Sequence, residues 1–149
     1  MATTVTWQTA AWVSRGTVLT TELNGLTVAT AFSAAGTEIA NQTNLDKYGK
    51  LEVNLATITP AAGGYINLYM ITAPGGTNYE DGSATINPGA HTLIASIPLR
   101  NAAGAIRVMT GVIFLEPAKT KFLLENASGV TLNASGNTVT LYTTNDQSN

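Results

Sequence analysis

Residues 51–72 read LEVNLATITPAAGGYINLYMIT, and this stretch decides the class of fold. Over its first six positions apolar residues alternate with polar or small ones, which is the period of a strand with one buried face. Residues 65–72 are again rich in strand-forming side chains, and PAAGG interrupts the chain between the two runs. The stretch predicts an antiparallel hairpin whose Leu51, Val53 and Leu55 face builds the core.

Composition bounds the class of protein. The chain has 149 residues, 44% of them apolar, a size and content that fit one domain with a real core. Only 11% of residues are charged, against a usual share of about 25%. The formal net charge is −2 and the seven Lys and Arg are scattered, so we expect no nucleic-acid partner.

The sequence also carries no sign of secretion, membrane insertion or thiol chemistry. Cysteine is absent, which excludes disulfides, thiol catalysis and zinc–thiolate sites. No apolar run reaches the roughly 20 residues of a membrane helix, and the N-terminal MATTVTWQTA has no signal-peptide pattern. We therefore expect synthesis in a cytoplasm and no membrane association.

Working outward from residues 51–72, short strand-like segments continue along the chain and make about eight to nine strands in all. Residues 21–26, TELNGL, predict at most one short helical turn, with a Thr cap and a Gly stop. Asn-Ala-Ser-Gly occurs twice near the C-terminus, which predicts two turns around a very short strand. Outside the hairpin, the predicted strands are residues 12–20, 27–33, 37–40, 92–100, 105–115, 120–125 and 138–143, and residues 130–132 are the very short strand between the two turns.

This pattern predicts an all-β fold, an antiparallel β-sandwich with a jelly-roll-like arrangement of about eight strands. Residues 1–12 are interpreted as an N-terminal arm or first strand, and residues 13–149 as a single sandwich domain. Pro98 favours an edge strand, because proline cannot donate a ladder hydrogen bond. The polar residues 41–50 and the turn-rich residues 73–90 are predicted loops, and long loops are usually functional or mobile.

Side chains suited to catalysis or metal binding are sparse. His91, the single histidine, follows Pro-Gly-Ala at a predicted strand start, where a solvated or hydrogen-bonded imidazole is expected and no GxSxG elbow supports a triad. Glu80 and Asp81 are adjacent in a turn but lack the acid spacing of a calcium loop. We therefore predict no enzymatic activity, no catalytic residues, no metal site and no cofactor.

Five aromatic residues are the candidate partner contacts: Trp7, Trp12, Tyr65, Tyr69 and Tyr79. Tyr65 and Tyr69 share one strand face, and with Tyr79 they would form a sugar-stacking platform. The alternative is that these tyrosines fill the core or a subunit contact. Trp7 and Trp12 either tuck under their own domain or anchor on a neighbour.

Several turns and strand starts resemble those of small structural proteins from tailed bacteriophages. The likeness spans most of the chain, and its motifs are of moderate specificity. The matching pieces are residues 14–16 (SRG), 23–26 (LNGL), 44–53 (NLDKYGKLEV), 76–82 (GTNYEDG), 121–126 (KFLLEN) and 134–138 (ASGNT).

The resemblance implies a β-sandwich, often jelly-roll-like, that binds the outside of a capsid as a decoration or cement protein. It implies the major capsid protein as partner, a dimer or trimer of this chain, and a place on the virion surface after synthesis in the host cytoplasm. Residues 1–12 and 73–90 are the segments best able to reach a neighbour. The alternatives are a carbohydrate-binding or adhesion module on a phage particle, and a tail or head–tail connector component.

Overall fold

Strands dominate the structure, a computed structural model that describes residues 5–7, 12–28 and 32–148, with residues 5–7, 147 and 148 described by their backbone alone. The described helical segments are α1 (Asn41–Asn44) and two 3₁₀ turns, Thr21–Leu23 and Ala90–Thr92. The strands are β1 (Val5–Trp7), β2 (Val13–Leu19), β3 (Ile39–Ala40), β4 (Tyr48–Ile58), β5 (Tyr65–Ala73), β6 (Leu93–Pro98), β7 (Gly104–Met109), β8 (Ile113–Phe114), β9 (Lys119–Ala127), β10 (Thr138–Thr144) and β11 (Asp146–Ser148).

Two antiparallel sheets face each other and confirm the predicted sandwich. The first sheet has the order β2-β10-β4-β7, with β8 also paired to β4, and the second has the order β3-β9-β5-β6. The pairs β2·β10, β3·β9, β4·β7 and β5·β6 nest inside one another, as in a long hairpin rolled into two layers, which is the jelly roll. Next to these sheets, β1 pairs with β11, so part of the predicted arm is a first strand.

The core lies between the two sheets and is built by alternation along their central strands. Leu51, Val53 and Leu55 of β4 are buried, as their spacing predicts. They belong to one apolar cluster with Ile66 and Leu68 of β5. Pro98 ends β6, which is an edge strand as predicted.

The predicted hairpin over residues 51–72 is wrong. β4 and β5 lie in different sheets and face each other across the core, so residues 59–64 form a connection between layers. The amide of Ala61 donates to the carbonyl of Ser128 at 2.8 Å, which ties this connection to the end of β9. Alternation places the apolar face of each strand inward in both arrangements, and therefore does not distinguish a hairpin from a crossing.

Four further local predictions need correction. The predicted strand 105–115 is interrupted at residues 110–112 and divides into β7 and β8. In the predicted strand 27–33, residues 29–31 lie outside the described residues, and only Phe32 forms an isolated bridge, with Glu125. The segment 130–132 is not a strand, because the amide of Leu132 bonds the carbonyl of Leu26 and no ladder follows. The predicted loop 41–50 contains α1 and the first three residues of β4.

Candidate functional site

Tyr69 is a structural residue on the outer face of the second sheet. The residue is 9% exposed, and its ring meets the Phe32 ring edge-on at 5.5 Å between centroids. Its hydroxyl donates to Glu125 Oε2 at 2.9 Å. Burial, together with the neighbouring Glu125 carboxylate, raises the pKa of Tyr69 to about 12. The ring packs against its own domain and has little surface left for a ligand.

Tyr79 packs beside the same apolar cluster of Phe32, Tyr69, Ile71 and Leu123. Its hydroxyl donates to Glu38 Oε2 at 2.6 Å, and Lys121 Nζ lies 4.5 Å from its ring centroid. Burial and the Glu38 hydrogen bond raise the pKa of Tyr79. The turn-rich residues 74–89 therefore fold back onto their own sheet, at least around this residue.

The three tyrosines do not form one open platform. Tyr65 begins β5 and is exposed, whereas Tyr69 and Tyr79 are held by Glu125 and Glu38. Stacking on a sugar requires open ring faces, and only Tyr65 offers one. The geometry favours the packing interpretation for Tyr69 and Tyr79.

The two tryptophans lie at the first two strands. Trp7 lies in β1, and its side chain is outside the described residues. Trp12 is half-buried just before β2, and Lys50 Nζ lies 5.1 Å from its ring centroid. Trp12 therefore borders a site on the outer face of the first sheet.

A pocket of about 290 Å³ occupies that outer face. Strand register assembles it: Tyr142 of β10 lies opposite Lys50 of β4, and Met109 of β7 lies opposite Glu52 of β4. Aromatic, cationic and acidic side chains therefore meet over three neighbouring strands. The lining residues are Trp12, Lys50, Glu52, Arg107, Met109 and Tyr142.

An ion pair between Glu52 and Arg107 lies at the side of this pocket. Arg107 Nη2 is 2.5 Å from Glu52 Oε2, and the Asn54 amide donates to Oε1 at 2.8 Å. The Glu52 side chain is 9% exposed and that of Arg107 is 70% exposed. Hydrogen bonds from Arg107 and then Asn54 hold the pKa of Glu52 below its usual value. Glu52 is therefore a fixed negative charge, and Arg107 presents its remaining donors to solvent.

A second cleft, of about 300 Å³, carries two large exposed apolar side chains. Leu45 is 62% exposed and Phe114 is 59% exposed. Leu45 has φ 54° and ψ 33°, a left-handed conformation that costs a leucine about 1–2 kcal/mol. The cleft is lined by Asn41, Leu45, Asp46, Lys47, Phe114, Leu115 and Pro117.

A polar clamp holds Leu45 in this conformation. The Asn41 side-chain amide donates to the carbonyls of Asp46 at 2.8 Å and Glu116 at 2.7 Å. Asn41 Oδ1 accepts the Asp46 amide at 3.0 Å, and Arg15 pairs with the buried Asp46 carboxylate. Several independent contacts thus fix the turn and offset the cost of the left-handed residue, and a strained residue persists in a folded protein only with such support.

His91 lies in the 3₁₀ turn before β6, and its Nε2 is 2.9 Å from Glu80 Oε1. Burial raises the pKa of Glu80, but hydrogen bonds from His91 and Thr72 outweigh it and lower the pKa overall. The expectation of a solvated or hydrogen-bonded histidine at a strand start is confirmed. Among the described residues, no group of three or more acidic or histidine side chains could hold a metal ion.

No protein-family model matches the chain, and no curated protein is significantly similar to it. Within residues 5–7, 12–28 and 32–148, none of the helical segments has the length and apolar character needed to cross a membrane.

Four residues of these surface sites were not predicted from the sequence: Leu45, Phe114, Glu52 and Arg107. For Leu45 a signal exists: it is the single aliphatic residue in the polar run NQTNLDKYGK. For the Glu52–Arg107 pair no local signal exists, because 55 positions separate the two residues and only the β4·β7 register joins them.

Proposed function

We propose that this chain is a non-enzymatic virion structural protein that binds the outer surface of a phage capsid and stabilises it. Three things support the proposal: the resemblance to small phage structural proteins, the jelly-roll sandwich, and the exposed Leu45–Phe114 cleft. The cleft is the observation that carries it. Its partner would be the major capsid protein, and the protein would reside on the virion surface.

The energetics of the cleft favour docking. Burying an aliphatic or aromatic side chain stabilises a complex by about 1.5–3 kcal/mol, so leaving Leu45 and Phe114 in water forgoes that gain. The clamp also holds Leu45 in a costly backbone conformation with its side chain outward. A rigid apolar projection loses little conformational freedom on binding, which is the property of an interface anchor.

Symmetry would supply the remaining affinity. A capsid presents many identical sites, and a dimer or trimer of this chain would engage two or three of them together. Once one subunit is bound, the effective concentration of the other subunits at neighbouring sites is high, so several weak contacts together give strong attachment. The low charge of the chain suits such an apolar, repeated contact.

The test measures occupancy on capsids that lack the protein. We expect Leu45→Gly and Phe114→Ser to reduce the bound copy number strongly. Leu45→Gly is the sharper variant, because glycine relieves the left-handed backbone and the fold should stay intact. Leu93→Ser, at another exposed apolar residue outside the cleft and outside residues 73–90, is the matched control and should bind normally.

Equal binding of the wild type, Leu45→Gly and Phe114→Ser would reject the cleft as the docking surface. Failure of the wild type to bind any capsid would reject the decoration role itself. The copy number in an intact particle distinguishes capsid decoration from a role in the tail or connector. Hundreds of copies indicate the shell, whereas about six or twelve indicate a connector or tail component.

A further inference from the structure

The pocket on the outer face of the first sheet contains polar groups that make no hydrogen bond within the described part of the chain. Lys50 Nζ lies over the Trp12 ring, and neither Lys50 nor Tyr142 makes a side-chain hydrogen bond to any described residue. Arg107 uses Nη2 for Glu52, and its other N–H groups face solvent. The donor-bearing side chains of Lys50, Arg107 and Tyr142 therefore line one depression beside an aromatic ring.

We propose that this pocket binds one carboxylate-bearing sugar ring of a glycan. The donors of Lys50 and Arg107 would take the ligand carboxylate, and the Tyr142 hydroxyl would bond a ring hydroxyl. The apolar surface of Trp12 and Met109 would pack against the C–H face of the ring. The proposal goes beyond attachment to a capsid and does not depend on it.

The charge of the pocket selects the ligand charge. Lys50 and Arg107 carry two positive charges and Glu52 one negative charge, so the lining has a formal charge of +1. A single carboxylate balances that charge. A phosphate dianion would add a second negative charge near the buried Glu52 carboxylate, where like charges repel.

The size and position of the pocket select a ring over a peptide. About 290 Å³ lies at the lower end of ligand-pocket volumes, which suits one ring-sized group. An extended peptide would instead use an exposed strand edge. Here the lining comes mainly from β4, β10 and β7, and β10 and β4 are the inner strands of the first sheet.

The pocket and the Leu45–Phe114 cleft share no lining residue. A chain docked through the cleft would therefore keep its pocket side chains free for a glycan. The pocket is tested on the isolated protein without capsids, so the result is independent of the decoration role.

The experiment titrates the purified chain with methyl glucuronide and follows binding by calorimetry and by ligand-observed NMR. Methyl glucoside, glucose 6-phosphate and a short Glu-containing peptide are the comparison ligands. We expect binding of methyl glucuronide that weakens with salt, and at least about tenfold weaker binding of the neutral, phosphorylated and peptide probes.

Lys50→Gln should weaken methyl glucuronide binding about tenfold or more, because it removes one of the two cations. Lys121→Gln is the matched control, since Lys121 also lies over an aromatic ring, that of Tyr79, but on the other sheet. It should leave binding unchanged. Unchanged melting temperatures would show that both variants fold.

Equal binding of methyl glucuronide and methyl glucoside, no binding of either, or equal effects of the two lysine variants would overturn the proposal. Preferential binding of the peptide or of glucose 6-phosphate would overturn it as well, and would assign the pocket to that ligand class.

Discussion

Arg15 and Asp46 form a two-point ion pair, with Nε 2.6 Å from Oδ2 and Nη2 2.7 Å from Oδ1. The pair fastens β2 to the turn between α1 and β4. The Asp46 side chain is buried, and the Arg15 side chain is about one-third exposed. Planar bidentate pairs of this kind fix geometry as well as charge. The turn that presents Leu45 is therefore anchored from a neighbouring strand.

Removing Arg15 should destabilise the fold more than removing an exposed cation. Arg15→Met leaves the Asp46 carboxylate buried without its cation, and we expect a loss of about 2 kcal/mol in the free energy of unfolding, measured by urea denaturation. Lys47→Met, which breaks the more exposed pair with Asp146, is the control and should change stability less. Equal losses would show that the Arg15–Asp46 pair has no special structural role.

The Glu52–Arg107 pair should make stability depend on acid pH. The pKa of Glu52 in the folded chain lies below its ordinary value of 4.5. At pH values between the folded pKa and 4.5, the unfolded chain therefore binds more protons than the folded chain. The stabilisation is therefore complete above pH 4.5 and is lost as pH falls through the folded pKa. Urea denaturation of the wild type and Glu52→Gln at a series of pH values should show a stability difference that shrinks below pH 4.5. A difference independent of pH would contradict this assignment.

Gly36 lies where residues 32–37 cross from the second sheet toward β2. Its amide donates to the Phe122 carbonyl at 3.0 Å, and a Cβ atom here would overlap the Val18 carbonyl oxygen and lie 2.7 Å from Leu19 Cδ2. We expect Gly36→Ala to lower the free energy of unfolding by about 3 kcal/mol. Gly75→Ala, where a Cβ meets no atom within 4 Å, is the control. Similar melting temperatures for the two variants would disprove the close approach.

Thr120 offers a stabilising substitution. It is buried in β9, and its hydroxyl has no hydrogen-bond partner in the described structure. Thr120→Val keeps the shape and removes the unpaired polar atom, so we expect a gain of about 1 kcal/mol in the free energy of unfolding. Thr143→Val is the matched control: that hydroxyl accepts a hydrogen bond from Arg15 at 3.0 Å, and its removal should destabilise. A loss at Thr120 would indicate that its hydroxyl has a partner in solution.

Strand identity is encoded locally here, whereas strand pairing is not. Alternation at Leu51, Val53 and Leu55 predicts the buried face of β4, and Pro98 predicts the edge position of β6. The crossing after β4 depends instead on a distant bond, from the Ala61 amide to the Ser128 carbonyl. A bond between residues 67 positions apart leaves no trace in a local pattern, which is why a hairpin was predicted.

The surroundings of the surface side chains also depend on residues that are distant in the sequence. Trp12 was predicted as a candidate contact because it is a large aromatic residue near the N-terminus, and its setting depends on Lys50 of β4. Tyr69 was predicted as a candidate contact, and its burial depends on Phe32, whose segment lies 37 positions away. Side-chain type is visible in the sequence, but the neighbours that expose or cover a side chain are set by the fold.

The position of β10 between β2 and β4 governs when the chain can fold during its synthesis. β2 pairs only with β10 among the strands of the first sheet, so it has no partner until residues 138–144 have left the ribosome. Before then, the β4·β7 and β5·β6 ladders can form, but the layers remain open at their edges. Unpaired strand edges are prone to pair with other chains. A pause in translation between β9 and β10 would therefore expose the nascent chain to aggregation at the stage when it is most nearly complete.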